Sequence, residues 1–209
     1  PGRRRPDRTA MKEALSSKLL PELFRLIDPE QRITVLHIGP ALPETVEFFT
    51  AYRCKLHFVD IFGELPLLDD DEPEGLSLEQ RLEELLDFPA GTAFDLCLFW
   101  DLFNYLDRDT LTAFCGALRP WLGSACLGHA FAVHNRRSPQ ANQSYALCNA
   151  GALRARPRAA ALPGYAPLPQ NELKRLLAAF EFDRSLLLTD GRLELLLRAK
   201  APPLPTAGR

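Results

Sequence analysis

The sequence predicts an α/β fold: a doubly wound, mostly parallel sheet in three α/β/α layers that ends in an antiparallel β-hairpin. Three observations carry this. Residues 33–60 read strand, tight turn, helix, strand, which makes a βαβ unit. Strand-like apolar runs then alternate with helical patterns along the chain. Near its end, two apolar runs flank Asp190-Gly191, a hairpin turn signal.

In chain order, residues 1–10, with Arg3, Arg4 and Arg5, read as a disordered basic tail. Residues 11–28 read as helical, with Leu15, Leu19, Leu23, Leu26 and Ile27 on one stripe and Pro21 dividing two short helices that pack over the sheet or lid the site. Residues 33–38 form a β-branched apolar run, as in a strand buried on both faces. Gly39-Pro40 breaks it, Pro43 suits a first helical turn, and Glu44 favours the helix dipole. That helix extends to about Tyr52, and residues 55–59 form a second strand with Asp60 at its carboxyl end.

The acidic run 69–74 is contiguous, which fits a solvated loop better than spaced metal ligands. Ser77 and Gln80 make a capping box for a helix over 78–87, at a place where such a fold would carry an edge strand, so that strand is expected to be short or missing. Residues 94–99 read as a strand, 107–118 as a helix stopped at 119–123, and 124–133 as the next strand. Residues 134–169 show no apolar periodicity and form an irregular stretch long enough to be a cover over the site. Asn171 caps a helix, the hairpin occupies 182–188 and 193–199, and residues 200–209 form a second disordered tail.

At 209 residues, 46% hydrophobic and 25% charged, the chain suits one large domain, spanning 11–199. A net charge of −2 does not select a polyanionic partner, and no basic face interleaved with aromatics is visible, which disfavours nucleic acid. No run reaches the roughly eighteen apolar residues of a membrane span, and no apolar stretch follows the N-terminal arginines, so a cytoplasmic protein without membrane contact is expected. Five cysteines without CxxC spacing and four scattered histidines indicate neither a disulfide framework nor a metal site.

Ligands of such sheets bind beyond the carboxyl ends of the strands. There Gly39 permits close backbone approach, the next helix N-terminus presents free N–H groups, and Asp60 can accept from two vicinal hydroxyls, as on an adenosine-like ribose. The structural alternative is a plain strand–helix turn with a solvated Asp. Charge is unevenly spread: residues 110–171 contain no Asp or Glu, while the same stretch carries Arg119, Arg136, Arg137, Arg154, Arg156 and Arg158. Arginine suits carboxylate and phosphate, so Arg136, Arg137 and Arg154, anchored by Tyr145, are candidates to bind an anionic group. The competing reading pairs these arginines with the acids of residues 60–109.

Order and spacing of these pieces resemble the class I S-adenosylmethionine-dependent methyltransferases, with a Rossmann-like fold, over roughly residues 30–199. The resemblance rests on Phe94-Asp95-Leu-Cys-Leu-Phe-Trp-Asp101-Leu, on Leu118-Arg-Pro-Trp-Leu-Gly123, and on Asn171-Glu-Leu-Lys-Arg-Leu-Leu before the hairpin. It implies S-adenosylmethionine as cofactor, held at Gly39, Pro40, Ala41, Asp60, Ile61 and Trp100. It also places the acceptor, a small molecule or a protein side chain, near Asp101, Asn104 and Tyr105, with His134 as a base. The loop departs from the family pattern: His37 stands for its acid, Ala41 and Pro43 for its second and third glycines. This supports the alternative of a catalytically inactive interaction subunit with a protein partner. A nicotinamide-dependent oxidoreductase is the weakest reading, because no GxGxxG follows the first strand.

Overall fold

The computed structural model describes residues 14–68, 75–133, 135 and 137–200. The two terminal tails, the acidic run 69–74, His134 and Arg136 lie outside the described residues, apart from Lys200.

The centre is a six-stranded sheet. Its strands are β2 (Ile33–Ile38), β3 (Cys54–Val59), β4 (Phe94–Trp100), β5 (Leu122–Val133), β8 (Phe180–Leu187) and β9 (Arg192–Ala199). Their order is β3-β2-β4-β5-β9-β8, with β3, β2, β4 and β5 parallel and β9 antiparallel to both of its neighbours. This is the mostly parallel, Rossmann-like sheet closed by a hairpin that the sequence predicts. Among the described residues no strand pairs outside β3, so the edge strand is missing there.

Both faces of the sheet are buried because successive strand residues point to opposite sides. Leu36, Ile38, Cys97 and Phe99 join one core with α3 (Leu78–Leu85), α4 (Arg108–Leu118) and α5 (Gln170–Leu176). Val35, Leu96, Leu98 and Trp100 join the other with α1 (Leu20–Arg25) and α2 (Pro43–Phe49). The Ser77–Gln80 capping box starts α3, and the Asp107 side chain accepts from Thr110 N–H to start α4. Gly123 is needed where β5 begins, since a Cβ there would lie 2.8 Å from the Phe94 carbonyl oxygen.

Three expectations are corrected. In the expected helical stretch 11–28, the described residues, from Ala14 on, are not two helices divided by Pro21. Ala14–Ser16 form a short strand, β1, and Pro21 instead lies in the first turn of α1, where its missing N–H costs nothing. Residues 134–169 are not irregular throughout: β6 (Gln143–Asn149) and β7 (Ala152–Pro157) pair antiparallel, and β1 adds to β7 in a second, three-stranded sheet. This sheet shares the layer of α1 and α2, through Tyr145, Leu147 and Leu153. Asn171 does not cap α5; it lies inside the helix, which follows Pro169.

Candidate functional site

The carboxyl ends of β2, β3, β4 and β5 meet at one edge, and the candidate residues gather there. β4 ends at Trp100, a non-glycine residue at φ +52°, a conformation that costs on the order of 1–3 kcal/mol unless the surroundings fix it. Here they do. The Trp100 ring is buried and stacks on Tyr145 at 5.7 Å with an interplanar angle of 24°, and its indole N–H donates to His37 Nε2 at 3.0 Å. Burial lowers the His37 pKa to about 4, so the imidazole is neutral and can accept that bond.

Immediately after this turn, Asp101 lines a cavity of about 290 Å³. Its floor and walls include Asn104 and Tyr105 from the turn after β4, Tyr145 from β6, and Tyr165. Leu15 of β1, Val133 at the end of β5 and Arg192 at the start of β9 complete one side. Asp101 is 4% exposed, and burial pushes its carboxyl up to about 7 despite the nearby charges of Arg158 and Arg192. Burial, with the charge of Asp101, also pushes Tyr105 up to about 12, and burial raises Tyr145. Among the described residues, Asp101 Oδ1 and the hydroxyls of Tyr105 and Tyr145 are buried without a hydrogen bond of good geometry, although Gln140 lies close to Tyr105 and Arg192 close to Tyr145. Such groups are rare in folded proteins, and here three of them lie around one cavity.

Beside this cavity lies the edge formed by β2 and β3. Gly39 has φ +115° and donates its N–H to the Val59 carbonyl at 2.8 Å; the nearest atoms to a Cβ there would be those of the Phe62 and His37 rings, at 3.8–3.9 Å. Asp60 is exposed at the end of β3, and its carboxylate does not cap the 3-10 turn Ile61–Glu64. An open backbone position and an uncommitted carboxylate on adjacent parallel strands fit a ribose-bearing ligand. Between the two places, the Arg158 guanidinium sits 4.0 Å above the Phe62 ring, which also packs edge-on against Tyr105.

Comparison with known proteins adds the following. No family model and no curated protein matches the chain. Among solved structures, it is similar to the pyocyanin biosynthetic protein PhzM, at 14% identity and a TM-score of 0.46 over 86% of this chain. The match spans 54%, about half, of that protein's length. It is similar to the 1,6-didemethyltoxoflavin-N1-methyltransferase of Burkholderia thailandensis, solved with 1,6-didemethyltoxoflavin and S-adenosylhomocysteine. That likeness is 16% identity and a TM-score of 0.45, over 81% of this chain and 72% of the other. A SAM-dependent methyltransferase from Methanosarcina mazei is similar at 13% identity and a TM-score of 0.48, over 87% and 98% of the two chains.

The structure divides the sequence candidates. Asp101, Asn104, Tyr105 and Tyr145 come together at the cavity. Gly39, Pro40, Ala41 and Asp60 lie at the neighbouring edge, whereas Ile61 and Trp100 are buried in the two cores. Arg154 does not reach the cavity: it and Arg156 both bind the Glu44 carboxylate, at 2.5 Å. Arg137 is exposed on a turn, and Arg136 and His134 lie outside the described residues. The Arg154 contact also differs from the alternative pairing, since Glu44 precedes the acidic stretch 60–109.

Sequence reasoning missed Arg192, Asp190, Tyr165 and Leu15. A signal existed for the first two. An antiparallel strand beside β5 must begin where β5 ends, so a hairpin turn at Asp190-Gly191 brings Arg192 opposite Val133.

Proposed function

We propose that this chain is an S-adenosylmethionine-dependent methyltransferase acting on a small-molecule acceptor bound in the Asp101 cavity. The observation that carries the reading is the convergence of three buried oxygens, those of Asp101, Tyr105 and Tyr145, in one cavity. That cavity sits beside the Gly39–Asp60 edge at the carboxyl ends of parallel strands, and the motifs around Trp100-Asp101 and Leu118–Gly123 support the same reading. Gly39 admits the ligand backbone-close, and Asp60 accepts from the ribose hydroxyls, at roughly 1.5–3 kcal/mol for each bond to a charged group. When bound, the sulfonium supplies an electrophilic methyl group. Methyl transfer then needs mainly in-line positioning, with a base only where the acceptor must lose a proton. Asn104 and Tyr105 orient the acceptor. Asp101, with a carboxyl that titrates near neutrality, takes its proton.

One observation favours a second reading, the inactive interaction subunit. Arg158 covers the Phe62 ring directly beside Gly39, and Ala41 and Pro43 replace glycines in the loop. A melting experiment separates the two. At one hundred times its Kd, S-adenosylmethionine should stabilise the chain by about 2.7 kcal/mol, and Asp60→Ala should abolish that shift. No shift at millimolar ligand would favour the interaction subunit.

A further inference from the structure

We infer that the Asp101 cavity is a receptor for a small ammonium ligand, a protonated primary or secondary amine held by the Asp101 carboxylate and the Tyr105 and Tyr145 hydroxyls. As the identity of the methyl acceptor, reached once the ammonium has given a proton to the Asp101 carboxylate and freed its nitrogen lone pair, this rests on the methyltransferase reading; as a binding site, it stands without it.

The chemistry of the three oxygens selects the ligand. An ionised carboxylate only accepts hydrogen bonds, and an ammonium only donates them. Asp101 Oδ1, 4% exposed as part of its residue and without a partner, is an acceptor that a donor-rich cation would satisfy. The tyrosine hydroxyls, equally buried, add acceptor lone pairs at the same cavity; Gln140 lies close to that of Tyr105 and Arg192 close to that of Tyr145, neither in good hydrogen-bond geometry. A buried carboxylate lacking its counter-charge is costly, and a cation removes that cost where a neutral ligand does not.

Among the described residues, neither cation near Asp101 is bound to its carboxylate. Arg192 lines the cavity but is bound to Asp190, at 2.7 Å and 2.9 Å. Arg158 is held over Phe62. Both lie near enough to lower the Asp101 pKa, yet burial keeps it near 7. An anionic ligand would face the Asp101 carboxylate. The walls suit a ring on the amine: Tyr105 and Tyr165 pack edge to face at 5.5 Å, Tyr145 backs onto Trp100, and aromatic rings attract a nearby cation. The volume, about 290 Å³, limits the ligand to a small molecule.

Isothermal titration of the chain with benzylamine, benzyl alcohol and benzoate, without any S-adenosylmethionine, tests the inference. Benzylamine should bind at least about tenfold more tightly than either of the others, about 1.4 kcal/mol. Its affinity should fall from pH 8 to pH 6 as Asp101 takes up a proton; among the described residues, the other titratable groups at or near the cavity are Arg158, Arg192, Asp190, Tyr105, Tyr145 and Tyr165. Asp101→Asn should remove the preference for the amine. Equal or tighter binding of benzoate or benzyl alcohol overturns the inference, as does no benzylamine binding at millimolar concentration or a preference that survives Asp101→Asn. Because the wild-type comparison needs no variant, a misfolded Asp101→Asn leaves the test intact. Because the titrations lack S-adenosylmethionine, their failure is distinct from failure of the methyl-transfer reading, which the melting shift reports.

Discussion

Asp101 shows at the scale of one residue how stability and function oppose each other. Its carboxyl titrates near 7 in the fold, against 3.8 as the ordinary value. Because the folded value is raised, the associated stability is fully present below about pH 4 and is lost as pH rises through 7. The difference is on the order of 4 kcal/mol between those limits. Asp101→Asn should therefore raise the melting temperature more at pH 8 than at pH 5, while weakening ligand binding. An equal change at the two pH values, measured by thermal unfolding, would show that the carboxyl is not perturbed. His37 acts in the opposite sense. Its lowered pKa makes stability present above about 6.5 and lost as pH falls towards 4. The sequence marks His37 as a departure from an acidic position, but its partner, the Trp100 indole, is visible only once β2 and β4 are paired. Single residues with local signals, such as Gly39, Asp60 and Asp101, could be placed at the strand ends from the sequence. Arg192 and Tyr165 could not, because their role comes from strand register and from a segment folded back over the edge.

Among the elements, the βαβ unit of β2, α2 and β3 was readable because its strands are buried on both sides and its helix starts at Pro43. The β6–β7 hairpin was not. Leu153 and Ala155 point inward with period two, but Arg154 and Arg156 on the other face gave the stretch an irregular, charged look. Their charges are absorbed by Glu44, more than a hundred residues earlier, which no local pattern announces. Glu44's own backbone N–H and the two arginines hold its carboxyl down to about 2. This triad ties the first turn of α2 to β7, while Thr45 Oγ1 accepts from Leu147 N–H of β6 at 3.0 Å. Glu44→Gln should loosen the hairpin without unfolding the main sheet. Amide exchange should speed up across residues 143–157 and remain slow in β4 and β5. Uniform exchange throughout would contradict this, making the small sheet part of one cooperative unit.

For the whole molecule, two cores on the faces of one sheet bring four parallel strand ends to a common edge. A buried cluster fixes the cover layer to that sheet. The Glu194 carboxylate of β9, fully enclosed, accepts from the Ser17 hydroxyl, from Lys18 N–H at 2.9 Å and from His129 Nε2 of β5 at 2.9 Å. Burial pushes its carboxyl up, but the bonds from His129, Ser17 and Lys18 outweigh this and leave it below the usual range. The sheet order was legible from alternation and turn signals, whereas this cluster was not, since it joins residues 17, 129 and 194. The account as a whole predicts that one edge holds both a nucleoside site and the Asp101 cavity. Backbone amide NMR of the labelled chain during titration with S-adenosylhomocysteine tests this most directly. Shifts concentrated at Gly39, Ala41, residues 60–63 and residues 100–101 are the predicted result. No shifts at saturating ligand, or shifts clustered away from the carboxyl ends of β2, β3 and β4, would contradict it.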